Sequence, residues 1–238
     1  MKTKWKVIIT LISVLTIGAV IGAYFLYMSI FRPKVEIDNK AYPIMGIDIS
    51  AHNGNIDFGR VEADNIAFVF MKATEGATFK DSRFEYNYST AKKTQLKLGV
   101  YHFFRFDING TLQGMNLLNS IQNKEIDFPI VIDLEEHSNP DTPTQSVVIR
   151  LQEMIDYLAK YKYDVIIYTN NNGYKRFLQP YFADYPLWLC RFTTPEQDME
   201  WTFWQFSHWG TVDGVEGDVD LNIFNGGVAD FRSFIGNL

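Results

Sequence analysis

The sequence predicts an α/β domain in which parallel strands alternate with crossover helices, behind one N-terminal transmembrane helix. From residue 44 onward, short β-branched runs alternate with segments of helical period. This rhythm is typical of a parallel sheet, either open or closed into a barrel. Polar residues also gather where several predicted strands end, which indicates a site at one edge of that sheet. The transmembrane helix follows from the uncharged run 7–31.

The composition is that of a globular protein with one large domain. The chain has 238 residues, 47% of them apolar and 21% charged. With Cys190 as its one cysteine it forms no intramolecular disulfide and no zinc site built on thiolates. Five of the 22 basic residues and none of the 28 acidic residues fall in positions 1–34. The remainder is therefore acidic, which argues against a nucleic acid partner.

The N-terminal run favours an uncleaved membrane anchor. Residues 7–31 exceed a hydrocarbon layer of ~30 Å at a rise of about 1.5 Å per residue. A secretory signal peptide is the alternative, but its apolar region is shorter and ends in small residues, whereas this run continues through the aromatic residues of 24–27. Three lysines precede the run, which favours a cytoplasmic N-terminus. We therefore expect a cytoplasmic tip and single-pass anchor over 1–31, a tether over 32–43, and an extracytoplasmic domain over 44–238.

The elements of the domain follow from local patterns. The clearest is the helix at 144–161, which has one apolar face. The other helices are expected at 58–65, 81–95, 111–123 and 171–178. Strands are expected at 44–50, 67–73, 97–104, 129–135, 164–169 and 186–189. After about residue 186 the helical patterns end, and short strands are expected at 202–207, 211–215 and 218–222.

Two acids in the strand at 129–135 indicate a functional site. Because side chains alternate along a strand, Asp133 and Glu135 point to the same side, with Leu134 on the other. Like charges about 6 to 7 Å apart are unfavourable unless one is protonated or both serve a polar site. A solvated strand end is the plainer alternative.

Other polar and aromatic residues accompany this pair. The ends of the other predicted strands carry Asp48, Ser50, Lys72, Glu75, Tyr101, His102, Arg105, Tyr168, Asn170, Asp220 and Asn222. In closed parallel barrels this rim is where sites are assembled. Carboxylates beside aromatic rings are typical of carbohydrate sites, because sugar C–H faces stack on such rings while acids handle the hydroxyls and the glycosidic oxygen. A single tryptophan such as Trp188, Trp201, Trp204 or Trp209 can equally belong to the core.

Six motifs in order resemble glycoside hydrolase family 25, the N-acetylmuramidase lysozymes. They are MGIDISAHNGNIDF (45–58), FMKATEG (70–76), GVYHFFR (99–105), IDLE (132–135), LWLCRF (187–192), and WQFS (204–207) followed by VDLN (219–222). The resemblance covers about residues 44–225. It implies a modified TIM-type β/α barrel with eight strands and about five helices. It also implies a substrate, the β-1,4 bond between N-acetylmuramic acid and N-acetylglucosamine in the glycan strands of peptidoglycan, and no cofactor.

The resemblance also implies roles for individual residues. Glu135 corresponds to the catalytic acid and Asp133 to its partner, while Asp48 and Asp220 are the remaining acids of the cleft. Lys72 and Glu75 are further candidates. The residues implied in substrate binding are Tyr101, His102, Tyr168, Trp188, Trp204, Gln205 and Asn222. Cys190 stands where relatives often have a small residue such as Ala, which is expected to affect packing more than chemistry.

The residues leave the mechanism and two other functions open. We expect the negative charge of Asp133, with Asp220 nearby, to raise the pKa of Glu135. Asp133 would support either an attacking water or the substrate's own acetamido group. A metal-dependent hydrolase could be built on the four acids with His52 or His102, although no histidine pair has the spacing of a helical zinc motif. A membrane-tethered wall-binding protein without turnover is the other alternative, against which the presence of all four acids argues.

Overall fold

The computed structural model describes residues 2–30 and 35–236 and separates two compact units, 1–34 and 35–238. The first unit contains helix α1 (Lys2–Ile30). Within it, Thr10–Tyr27 is long and apolar enough to cross a membrane, a test that a signal sequence near the N-terminus also passes. The predicted span ends at Phe31, which lies outside the described residues. The same holds for the first tether residues, 32–34, and for the last two residues of the chain.

The second unit is a closed barrel of eight strands, which confirms the predicted fold class. Seven strands run parallel, and the eighth is antiparallel to both of its neighbours, so that it closes the barrel between the first and the seventh. A short strand, β3, extends β2 as a hairpin outside the barrel. The strands are β1 (Met45–Ile49), β2 (Ile66–Glu75), β3 (Phe79–Lys80), β4 (Lys97–Phe103), β5 (Ile130–Asp133), β6 (Val165–Asn170), β7 (Leu187–Cys190), β8 (Phe203–Gly210) and β9 (Val219–Phe224).

In the described part of the second unit, five α-helices lie between parallel strands, as the alternating pattern predicts, and a sixth follows β9. They are α2 (Phe58–Ala63), α3 (Phe84–Ala91), α4 (Gly110–Ile121), α5 (Thr144–Lys160), α6 (171–181) and α7 (Val228–Gly236). Helix α6 is helical throughout, but its middle, Tyr174–Leu178, has π-helical geometry. All five predicted helices are present, each within a few residues of its expected bounds.

Strand alternation divides the apolar residues between two cores. In β2, Val69 and Met71 face the surrounding helices, whereas Phe68 and Phe70 face the barrel interior. Two glycines make room for these rings, because a Cβ at Gly46 would lie 2.3 Å from the Phe68 ring and a Cβ at Gly99 would lie 2.2 Å from the Phe70 ring. The half of the barrel interior that lies away from the carboxyl ends of the parallel strands, here called the lower half, is therefore filled with aromatic side chains.

The C-terminal end of the chain differs from the prediction. The expectation that helices end after residue 186 is wrong, because α7 packs Phe231 against the interior rings of Phe68, Phe128 and Phe224. The strand predicted at 211–215 is a turn with one isolated bridge, and the positive φ of 95° at Gly214 is a turn conformation.

The segment expected to be a tether is partly a component of the domain. Val35, Ile37 and Tyr42 pack against a small apolar cluster that contains Trp204, and the Tyr42 ring lies 5.5 Å from that of Trp201. These contacts bury apolar surface, and so they hold the segment on the barrel. The second compact unit, 35–238, accordingly includes this segment.

Candidate active site

The barrel interior opens at the carboxyl ends of the parallel strands into a cavity of about 150 Å³, here called the acid cavity. It is lined by Asp48, Tyr101, Asp133, Glu135, Tyr168, Trp188, Gln205 and Asp220. The lining residues that belong to strands occupy positions whose side chains point into the barrel by alternation. Asp133, for example, lies two positions after Val131, which also faces the interior. The structure thus brings together all four predicted acids and four of the seven predicted binding residues.

A chain of hydrogen bonds holds the Asp48 carboxylate. Gln205 Nε2 and Asn222 Nδ2 each donate to Asp48 Oδ2 at 2.8 Å. The Tyr168 hydroxyl donates to Gln205 Oε1 at 2.9 Å, and Trp188 Nε1 donates to Asn222 Oδ1 at 2.8 Å. These outer donors orient both amides, so that each presents its NH₂ group to Asp48. Asn222 is fully buried behind Asp48 and contacts the acid without lining the cavity.

Asp48 and Asp220 form a carboxyl pair. They face each other in the register of β1 and β9, and their side chains are hydrogen-bonded. Burial raises the pKa of Asp220 to about 8, with the charge of Asp48 as the next cause. Burial also raises the pKa of Asp48, against the lowering effect of its two amide donors. Because two carboxylates in hydrogen-bond contact do not both ionise readily, the pair holds a proton near neutral pH.

Asp133 is buried with one oxygen unsatisfied. The side chain is 7% exposed, and its Oδ1 has no hydrogen-bond partner among the residues that the structure describes. Burial raises the pKa of Asp133 well above its usual range, and the negative charge of Glu135 raises this pKa further. The positive charge of Lys72 lowers it in part. A buried oxygen without a donor costs free energy.

Glu135 lies just beyond the end of β5 and, like Asp220, is partly exposed, whereas Asp48 and Asp133 are buried. The pKa of Glu135 is raised, as the sequence predicts, but the main cause is burial rather than the charge of Asp133. The charge of His137 lowers this pKa, and that of Asp48 raises it. His137 was not among the predicted site residues, and it lies in a turn after β5, where strand alternation gives no indication of its direction.

Besides Asn222, two predicted binding residues do not line the cavity, and both point away from it. His102 points outward from β4, where its Nδ1 lies 2.7 Å from Thr74 Oγ1 and its Nε2 lies 3.1 Å from Gln113 Oε1, and burial lowers its pKa to about 4. Trp204 points outward from β8 and donates from Nε1 to the carbonyl of Arg191 at 2.6 Å. Both predictions conflict with alternation, because the neighbours Tyr101 and Gln205 occupy the inward positions.

The remaining candidates form a polar group beside β2. Lys72 Nζ lies 2.7 Å from Glu75 Oε2 and within 5.5 Å of the Phe79 and Phe103 ring centres. Arg105 approaches the other oxygen of Glu75 at 3.6 Å. Within residues 2–30 and 35–236, no group of three or more His, Cys, Asp or Glu side chains is placed to hold a metal ion, so the geometry lends the metal-dependent alternative no support.

Paired acids at the carboxyl end of a β/α barrel are the arrangement of a glycoside hydrolase. The model of glycosyl hydrolases family 25 matches residues 47–215. The chain therefore belongs to glycosyl hydrolases family 25 and is a glycoside hydrolase.

Relatives in sequence and in structure agree with this assignment. The chain is 34% identical over 185 residues to the autolytic lysozyme of Clostridium acetobutylicum, a match that covers 77% of this chain and 56% of that protein. It is 32% identical over 213 residues to lysozyme M1 of Streptomyces globisporus, covering 82% of this chain and 72% of the relative. A family 25 glycosyl hydrolase from Bacillus anthracis superposes with a TM-score of 0.77 at 32% identity, covering 84% of this chain and 96% of the other.

Proposed function

We propose that this protein is a muramidase in which Glu135 is the general acid for cleavage of the β-1,4 bond between N-acetylmuramic acid and N-acetylglucosamine in peptidoglycan. One observation carries the proposal: four carboxyl groups from β1, β5 and β9 line one cavity, and Glu135, just beyond the end of β5, is partly exposed there. Family membership and similarity to lysozymes support the choice of substrate.

The role of Glu135 follows from its position. Glycosidic cleavage requires a proton for the leaving oxygen, and a carboxyl with a raised pKa retains that proton nearer to neutral pH. Glu135 reaches the cavity from its rim, where a glycan strand can approach, whereas Asp48 is held by amides and paired with Asp220. Proton delivery is therefore assigned to Glu135.

Asp133 is the group that supports the reacting sugar. The part of its carboxyl group that lines the acid cavity can accept a hydrogen bond either from an attacking water or from the N–H of the substrate's acetamido group. In both cases the acid becomes more strongly ionised as positive charge develops at the anomeric carbon, since that charge stabilises the carboxylate. Asp48 and Asp220 supply a further proton-sharing pair on the wall of the same cavity.

Digestion of murein tests the proposal. The full-length wild-type chain is expected to release new reducing ends, and borohydride reduction of the products should yield muramicitol. Glu135→Gln should abolish release without loss of the folded state. Glu85→Gln, at a surface glutamate whose side chain is 75% exposed, is the matched control. Glucosaminitol among the products would indicate cleavage at the other sugar, and murein binding without new reducing ends would indicate a wall-binding protein.

We infer further that α1 anchors the domain to the outer face of the membrane. The substrate lies in the cell wall, so the domain acts outside the cytoplasm. The part of α1 that follows Lys6 carries no charge and continues through the aromatic residues of 24–27, which supports an anchor over a cleaved signal. Membranes washed with alkaline carbonate should retain the full-mass chain. A soluble product whose N-terminus begins after the apolar run would replace the anchor with a signal peptide.

A further inference from the structure

The outer layer of the barrel is incomplete beside β7 and β8. In the described chain, five of the six connections between parallel strands contain an α-helix, whereas the connection from β7 to β8 is the irregular segment 191–202. Parallel strands are usually joined by a crossover helix that covers one face of the sheet. The outward side chains of β7 and β8 therefore lack the helix that the other parallel strands have.

A groove of about 1130 Å³ lies at this place, and we call it the flank groove. Tyr174 and Leu178 of α6 line it on one side, and the segment 35–42 contributes three further residues. The outward residues Leu187 of β7 and Trp204 of β8 also contribute to its wall. The described walls of the flank groove and of the acid cavity have no residue in common, so the two are separate sites.

The wall of the flank groove is strongly acidic. Six exposed carboxylate side chains line it, while its described wall residues include no lysine or arginine. The six are Glu36, Asp38, Asp184, Glu196, Asp198 and Glu200. Glu196 pairs with Arg191 at 3.2 Å, and the other five form no ion pair within residues 35–236. The groove therefore attracts cations and repels anions.

Aromatic rings lie among these acids. Tyr42, Tyr174, Tyr185 and Trp201 are half-buried in the wall of the groove. The Trp201 ring is held by two others, with ring centres 5.5 Å from Tyr42 and 5.7 Å from Trp204. Tyrosine and tryptophan are enriched at the centres of protein interfaces, and the faces of their rings attract guanidinium groups. Rings and carboxylates together suit the arginine side chains of a polypeptide.

We propose that the flank groove is a docking site for a basic amphipathic helix of a partner protein. Such a helix takes the place of the missing crossover helix, with its apolar side on the half-buried rings and its arginines on the surrounding carboxylates. Charge complementarity selects a cationic helix over an anionic one. The proposal does not depend on the chemistry at Glu135, because the groove lies on the outside of the barrel.

Binding of a synthetic helix to the full-length chain tests the proposal. The probe is a fluorescein-labelled peptide of about 18 residues, built from alanine and leucine with arginines along one side, a length at which an isolated helix forms. Fluorescence anisotropy in a non-ionic detergent should show one-to-one binding with a Kd on the order of 10 µM at low salt. Raising the salt concentration to about 0.5 M should weaken binding at least about tenfold.

Charge reversal in the groove locates the binding site. Asp198→Lys combined with Glu200→Lys should raise the Kd at least about tenfold, because two attractive charges become repulsive. Both side chains are exposed, so urea unfolding and murein hydrolysis without the peptide should be unchanged. Glu85→Lys combined with Glu125→Lys is the matched control. It changes the net charge equally at exposed residues outside the groove, and it should alter the Kd less than about twofold.

Two further ligands distinguish the other possible occupants. The same peptide with glutamine in place of arginine should bind at least about tenfold more weakly, and equal binding would indicate an apolar groove without charge selectivity. Spermine should displace the peptide only at about millimolar concentration, and displacement at the peptide's own Kd would indicate a site for simple cations.

Either of those results would overturn the proposal. So would a failure of the arginine peptide to bind, or an equal loss of binding in the control variant. The proposed function is unaffected by these outcomes, because it is tested by murein digestion in the absence of any peptide.

Discussion

The upper and lower halves of the barrel interior are built by the same strands but have opposite chemistry. In the lower half, Phe68, Phe70 and Phe203 contact one another with ring centres 5.3 to 5.6 Å apart. In the upper half, the inward positions carry the acids and amides of the acid cavity. Strand β8 makes the change in two residues, from Phe203 below to Gln205 above. The lower half excludes water from the base of the acid cavity. Burial consequently raises the pKa values of the carboxyl groups above it.

This comparison predicts that the lower half determines stability. Phe203→Ala removes a ring that contacts several aromatic neighbours, and it should lower the free energy of unfolding by about 3 to 5 kcal/mol because a cavity remains. Urea unfolding measures the change. Phe79→Ala, at a ring that is 52% exposed, is the matched control and should cost little. A small loss for Phe203→Ala would mean that the lower half is not tightly packed.

The upper half is expected to determine activity instead. Asp133→Asn keeps the shape of the side chain but removes the carboxylate that supports the reacting sugar, so kcat on murein should fall by about 10²-fold or more. The free energy of unfolding at neutral pH should stay equal or rise, because an acid with an unpartnered buried oxygen is replaced by a neutral amide. Equal losses of stability and activity would contradict the division of roles between the two halves.

The pH dependence of stability gives a third test. Burial raises the pKa of Asp220 to about 8, far above that of an aspartate in the unfolded chain. The folded protein therefore binds this proton more tightly, and the stabilising contribution of the protonated form is complete below about pH 4 and is lost as the pH rises towards 8. Asp220→Asn should unfold at a higher urea concentration than the wild type at pH 8, with a smaller difference at pH 5. A difference that grows as the pH falls would contradict the raised pKa.

The smallest expected effect is at the outer end of the hydrogen-bond chain. Tyr168→Phe removes the hydroxyl that donates to Gln205 Oε1, which leaves Gln205 free to turn its amide away from Asp48. We expect kcat to fall about three- to tenfold, in line with the loss of one hydrogen bond of roughly 1 kcal/mol. The KM should change less. Tyr86→Phe, at a residue that is 48% exposed, is the control.

Strand alternation explains where the structure places the residues that were predicted for the site. Asp133 and Glu135 were expected on one side because of their spacing, and both line the acid cavity. By the same rule, His102 cannot point into the barrel if its neighbour Tyr101 does. His102 was nevertheless predicted as a binding residue, because neighbouring polar residues of the family motif were assigned to the site together. Strict use of alternation within that motif would have separated the outward residue from the inward one.

Other features depend on contacts between residues that are far apart in the chain. Helix α7 has few local signals, and its position follows from the burial of Phe231 under rings from β2 and β9. The cavity beside Glu135 combines residues at and after the end of β6 with Phe192 and His208, which no local sequence pattern connects. The amide orientations of Gln205 and Asn222 likewise follow from donors on other strands.

The sequence by itself determined the order of strands and helices, the face of each strand that carries its acids, and the resemblance to a lysozyme family, because these depend on spacing along the chain. Only the tertiary structure decided the closure of the barrel by an antiparallel strand, the proton-sharing contact of Asp48 with Asp220 and the position of the flank groove. The physical reason is that burial and hydrogen bonding between distant strands set the charge of each acid, and neither is encoded in the neighbours of that acid in sequence.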